Sequence, residues 1–149
     1  MFDTVVIATD GSTSAVRAVE VALDLAATFD AAVHALCVVD EREVTGTPED
    51  VREEMRAAMR ESADEALSSI SDRTERSVTT SVCEGDPAGE ICRYVAEQDA
   101  DVVAMGTRGR HGDHGFVLGS VAESVVQRCE RPVLTVRQLE GDSDATGAA

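Results

Sequence analysis

The chain has 149 residues, 43% hydrophobic and only 3% aromatic, which fits one globular domain with a core of Val, Ala, Leu, Ile and Met. Its 29 acidic residues outnumber 13 basic ones, all of them arginine, and the net charge of −16 leaves no basic patch for nucleic acid or an anionic membrane. No apolar run approaches the roughly 20 residues that span a bilayer, and no basic region precedes the first one, so a cytoplasmic protein without a secretory leader is expected.

Residues 3–9, DTVVIAT, are short, apolar and β-branched, the pattern of a buried strand. DGSTS follows as a turn rich in helix-capping residues. Val16, Val19, Leu23, Ala26 and Ala27 recur at helical spacing with Arg17, Glu20 and Asp24 opposite, predicting an amphipathic helix over 14–28. AAVHALCVVD, 31–40, reads as a second buried strand, and EREVTG as a loop. Thr47 and Pro48 read as the cap and first residue of a long helix over 48–71. Its stripe is Val51, Met55, Met59, Ala63, Ala66 and Ile70, with the methionines expected to fill the core.

SVTTSVCEG, 77–85, alternates like a more exposed strand at a sheet edge. Asp86 and Pro87 repeat the cap-then-proline signal, and Ile91, Tyr94 and Val95 continue a short helix to about 98. DVVAMG, 101–106, is a fourth buried strand. After a glycine-rich loop, Ser120 and Glu123 read as a capping box, and Val121, Val125 and Cys129 as the stripe of a last helix. PVLTV, 132–136, is a fifth strand. The final residues lack apolar content, so a single domain over 1–138 and a disordered acidic tail over 139–149 are expected. The order βαβαβαβαβ, with apolar strands and amphipathic helices, specifies an α/β fold: an open five-stranded parallel sheet, helices on both faces, right-handed crossovers.

The loop GTRGRHGDHGFVLGS, 106–120, holds five glycines between two well-patterned segments. Ligands of such sheets bind beyond the carboxyl ends of the strands, where the winding reverses. Here the first strand ends in Asp10 and the fourth in this loop, which runs straight into a helix. Glycines let backbone N–H groups converge on an anion, and a helix start adds free amides and a positive dipole end. Gly106, Gly109, Gly119 and Ser120 are therefore candidates for a phosphate cradle, with Arg108 or Arg110 adding a charge-assisted contact. Asp10 could accept hydrogen bonds from ribose hydroxyls or hold a Mg²⁺ shared with the phosphates.

Other chemistries fit less well. The lysine of a Walker A loop is absent, and no GxGxxG follows the first strand. His111 and His114 have no third ligand in sequence reach, so exposed loop histidines are expected rather than a metal site. A phospho-accepting receiver would need a second acidic residue beside Asp10 and a lysine after the last strand. A flavin carrier would need aromatics to sandwich its ring. The four cysteines, at 37, 83, 92 and 129, show no CxxC spacing and read as reduced residues in or near the core.

The spacing Gly106-x2-Gly109-x9-Gly119-Ser120 resembles the ATP-binding motif of the universal stress protein family. VVIATDGS, CVVDERE, EGDPAGEI and GSVAESVVQRCERPVLTV resemble that family's segments in turn, over about residues 2–137. The resemblance implies a Rossmann-like, adenine nucleotide alpha hydrolase-like sheet in the order 3-2-1-4-5. It implies binding of ATP, or of ADP or AMP, often with Mg²⁺ or Mn²⁺. It places Ala8, Thr9 and Asp10 at the ribose or metal side and the Val38 backbone at the adenine. Met105, Gly106, Arg108, Gly109, Gly119, Ser120 and Val121 would surround the ribose and phosphates. It further implies a homodimer through the last strand, Val133 to Val136. Cys37 and Ala122 depart from the family's frequent histidine and threonine. Hydrolysis requires a group that positions water, and no strong base stands at a predictable place, so a stress-response or signalling module with little turnover is expected. The alternative is a slow ATP hydrolase or nucleotidyl-transfer enzyme using the same site. The acidic surplus and the absence of lysine suit the salty cytoplasm of a halophile, although high genomic GC content also favours arginine.

Overall fold

The computed structural model describes residues 2–108 and 118–139. The strands are β1 (Thr4–Ala8), β2 (Ala32–Asp40), β3 (Val78–Gly85), β4 (Val102–Gly106) and β5 (Val133–Val136). The helices are α1 (Val16–Phe29), α2 (Glu41–Thr45), α3 (Glu49–Asp72), α4 (Pro87–Glu97) and α5 (Ser120–Arg128), with a 3-10 turn at Thr13–Ala15 ahead of α1. The sheet is parallel throughout, in the order β3-β2-β1-β4-β5. Order, direction and helical layers agree with the expected fold, and β3 lies at an edge as its exposed alternation predicted.

Strand residues point alternately to opposite faces, and the chain uses that alternation to build two cores. Val5, Ile7, Val33, Ala35, Val102 and Ala104 pack on α1 and α3. Val6, Ala8, Leu36, Val103 and Met105 pack on α4 and α5. Both faces are apolar because both carry helices, which is why the strands read as unbroken apolar runs. Ala18, Ala22 and Ala26 are buried along one side of α1, and residues this small let the helix backbone lie close to the sheet.

Two helices close in the same way. Asp30 and Asp99 take left-handed conformations, φ 52° and 51°, after α1 and α4. The following amides reach back into the helix, Ala31 to the Ala26 carbonyl at 2.8 Å and Ala100 to that of Val95 at 3.0 Å. Each chain then enters a strand at once. Asp101 ties β4 to β1: its Oδ2 accepts the amides of Asp3 (2.7 Å) and Thr4 (2.9 Å).

Three local expectations need correction. EREVT is a helix rather than a loop, because Asp40 caps it by accepting the Arg42 amide and Val44 is buried beneath it. Pro48 is the cap of α3 rather than its first residue, since the Thr47 hydroxyl is taken by the Val44 carbonyl at 2.6 Å. Ser120 is not the cap of α5: Gly119 occupies that place without a side-chain bond, and its carbonyl accepts the Glu123 amide at 2.9 Å. Asp86 does cap α4, accepting the Gly89 amide at 3.0 Å with Pro87 next in the chain. The acidic tail expected over 139–149 lies, apart from its first residue, outside the described residues.

The Thr4 and Asp3 amides hold the Asp101 carboxyl below the usual carboxylate range, with smaller help from Arg131. A lowered folded-state pKa contributes stability above the ordinary carboxylate range and loses it as pH falls through the depressed value. Asp101→Asn should therefore lower Tm at neutral pH and flatten its decline in acid. A thermal-unfolding series from pH 7 to pH 2 checks this.

Candidate functional site

β1 and β4 are neighbours, registered Val5↔Val102, Val6↔Val103 and Ile7↔Ala104. Beyond that ladder both strands end at the same edge of the sheet. The chain leaving β1 feeds α1 on one face, and the chain leaving β4 feeds α5 on the other. Between the diverging segments lies a crevice of about 460 Å³, a size that suits a small ligand.

Of the eleven residues singled out in the sequence, ten line this crevice: Ala8, Thr9, Asp10, Val38, Met105, Gly106, Arg108, Gly119, Ser120 and Val121. Gly109 lies outside the described residues, as do Arg110, His111 and His114. The β1 end is a tight, hydrogen-bonded turn. Asp10 Oδ1 accepts the Ser12 amide at 2.9 Å, and the Thr9 hydroxyl accepts the Gly11 amide at 3.1 Å. Gly11 has φ 81°, a conformation glycine adopts without penalty. Asp10 is thus both a turn residue and part of the crevice wall.

The β4 end separates two tasks among its glycines. A Cβ on Gly106 would stand 2.9 Å from the Ser14 carbonyl oxygen and 3.4 Å from Ala15 Cα, so this glycine admits the turn before α1. The Gly119 amide donates to the Thr107 carbonyl, and the Thr107 amide to that of Val136 at 3.2 Å. Those bonds fasten the start of α5 to β4 and β5. The first-turn amides of Ser120, Val121 and Ala122 then have no intrahelical carbonyl within reach and front the crevice with the positive end of the helix dipole.

Several lining residues escaped the sequence reading. α2 brings Arg42 and Glu43 to the rim. Arg42 is clamped to Asp40 through Nε–Oδ1 at 3.0 Å and Nη2–Oδ2 at 2.7 Å, and this paired carboxylate raises the guanidinium's pKa. The signal was present: an aspartate followed three residues later by glutamate is a helix-start pattern. Met59, read as core filling, is half-buried and faces the crevice with Ala63. Pro87 and Ile91 add an apolar wall from α4. Among the described residues no group of three or more His, Cys, Asp or Glu is placed to hold a metal ion.

The model of the universal stress protein family matches residues 1–137. Universal stress protein MJ0531 of Methanocaldococcus jannaschii is 36% identical over 142 residues, spanning 93% of this chain and 84% of its own. The solved structure of MJ0577, a universal stress protein of the same organism, aligns with TM-score 0.84 at 26% identity, covering 94% of this chain and 99% of that one. A universal stress protein solved in complex with cAMP aligns with TM-score 0.68 at 26% identity, covering 91% and 97%.

The contact at Gly106 yields a direct test. Gly106→Ala should cost roughly 1–3 kcal/mol, because backbone rather than a flexible side chain stands in the way. Urea denaturation at fixed temperature reads the loss, and an unchanged midpoint would show that the turn yields freely.

Proposed function

The chain belongs to the universal stress protein family, and on that premise we propose that it is an ATP-binding stress-response or signalling module with little or no turnover. The observation that carries this reading is that Ser120, Val121 and Ala122, the first residues of α5 with free first-turn amides, line one crevice together with Asp10. The free first-turn N–H groups of a helix N-terminus suit a phosphate. Val38, Pro87 and Ile91 offer apolar surface for a base, and Asp10 an acceptor for ribose hydroxyls. The related structure holding cAMP supports an adenine nucleotide as the ligand class.

Charge bears on the form of the ligand. Asp10, Asp40, Glu43 and Glu123 line the crevice against Arg42 and Arg108, so a bare polyphosphate would enter a field of mixed sign. The described donors fit a metal carried by the nucleotide rather than a resident ion. Mg²⁺ or Mn²⁺ would supply positive charge there, with Asp10 the protein group to hold it. We read the −16 charge as salt adaptation of a cytoplasmic protein. Among the described residues no helix is long and apolar enough to cross a membrane.

Purified protein in concentrated KCl should release an adenine nucleotide detectable by mass spectrometry, and turn over ATP more slowly than about one per second. Ser120→Pro is the sharper probe. Ser120 is the first residue of α5, where proline is tolerated, and Gly119 has the extended backbone, φ −71° and ψ 166°, that precedes proline well. The change deletes one cradle amide while sparing the helix. ATP affinity should fall about 10-fold or more, as for loss of a hydrogen bond to a charged group, with Tm held. Ser120→Ala, which keeps the amide, should bind nearly as the native chain does. Equal binding by all three would remove the amides from the site.

β5 lies at the edge of the sheet, with Val133, Leu134 and Thr135 half-buried. We assign this edge to a homodimer. Light scattering should give a mass near twice the 15.7 kDa of one chain, and Leu134→Arg should halve it.

A further inference from the structure

No aromatic side chain lines the crevice among the described residues, so a nucleobase there has no ring to stack on. A flat, polarisable face is also available from arginine, whose guanidinium stacks on nucleobases. Two arginines line the crevice, Arg42 and Arg108, and the sheet order separates them. Arg108 follows the end of β4, beside the start of α5 that the Gly119–Thr107 bond fastens there. Arg42 follows β2, on the other side of β1. Asp40 and Gly85 are register partners at the ends of β2 and β3, so Arg42 and Pro87, each two residues further on, leave adjacent strands at one place. Val38 and Asp40 alternate with Val39 on β2, which puts them on one side of the sheet, the side that Val38 shares with α4.

Asp40 fixes Arg42 twice over. Its Oδ1 accepts the Arg42 amide at 3.0 Å, which starts α2, and also Nε at 3.0 Å, while Oδ2 accepts Nη2 at 2.7 Å. Paired bonds to one carboxylate set the plane of the guanidinium as well as its position. The Arg42 side chain remains 67% exposed against 19% for Asp40, so the clamp holds the group at the rim without covering it.

From this clamped guanidinium at the Val38–Pro87 end we propose that Arg42 is the base-contact residue of the crevice, stacking its plane on the nucleobase and favouring a purine, whose fused rings offer the larger face. The inference rests on the nucleotide reading and deepens it. Asp40 is then a positioning residue, acting through the group it holds. The two arginines divide the ligand between them: Arg42 with Val38, Pro87 and Ile91 takes the base, and Arg108 with the first-turn amides of α5 takes the phosphates. A purely electrostatic role toward the phosphates would make any cation at residue 42 adequate. Stacking requires the plane.

That difference sets the experiment. The full chain in concentrated KCl, beside Arg42→Lys and Arg42→Ala, is titrated calorimetrically with ATP, UTP and adenosine. The native chain should bind ATP more tightly than UTP. Both variants should weaken ATP and adenosine by the same factor, about 5-fold, and UTP by less. Tm should hold, because an exposed ion pair contributes little to folding. A lysine variant that binds as the native chain does, or a loss confined to ATP with adenosine unchanged, makes Arg42 a charge for the phosphates and overturns the proposal. Unchanged binding by both variants overturns it as well. Each of these outcomes leaves the nucleotide reading standing, whereas a native chain that binds neither ATP nor adenosine removes that reading and this one together.

Discussion

Parallel pairing of β1 with β4 is the constraint on which the crevice depends. Because the two strands run the same way, their carboxyl ends finish at one edge. Because the order is β3-β2-β1-β4-β5, the chain winds outward from β1 in both directions. Its helices therefore leave the two central strands for opposite faces, α1 over Val5 and Ile7, α5 over Val103 and Met105. Two segments that start side by side and part to opposite faces leave a gap, and no further device is needed to open it. Right-handed crossovers and two apolar faces make this arrangement favourable, so the crevice follows from the same forces as the core.

Acidity is put to structural use within this frame. Four aspartates at element ends each accept a backbone amide: Asp10 from Ser12, Asp40 from Arg42, Asp86 from Gly89, and Asp101 from Asp3 and Thr4. Asp86 sits below the usual carboxylate range chiefly because of the Gly89 amide, with Arg128 second. An acidic chain without lysine has few mobile cations to spend on an anionic ligand. Amides fixed at a helix start bring positive potential without adding a charged side chain, and arginine adds planar, multidentate contacts where one is needed.

The elements of the fold were legible because their signals are redundant. β1, β2 and β4 are apolar on both faces, and α1 and α4 carry clear stripes, so boundaries agree within one or two residues. The order of the strands was not legible from periodicity, which says nothing of neighbours; it came from the likeness of motifs to a family. α2 was missed because five polar-rich residues show no full period, and only the cap at Asp40 and the buried Val44 make it a helix. The crevice lining was legible at strand ends, where glycine and aspartate stand out. It was not legible at Met59, Pro87 and Ile91, which reach the site from helices whose apolar stripes read as ordinary core.

The glycine-rich stretch looked uniform in sequence, yet its described members have different duties. Gly106 is small because the Ser14 carbonyl presses on it, which is a packing demand of the β1–α1 turn. Gly119 spends its own amide on the Thr107 carbonyl, and its carbonyl on the first α-helical bond of α5. Neither supplies the amides proposed to hold an anion. They set where α5 begins, and that placement aims the amides of Ser120, Val121 and Ala122 at the crevice. A glycine count alone would assign the anion contacts to the glycines. The hydrogen bonds show instead that Gly119 fixes where α5 starts, and the free first-turn amides of that helix are the donors proposed for an anion, so a proline at residue 120 tests that proposal directly.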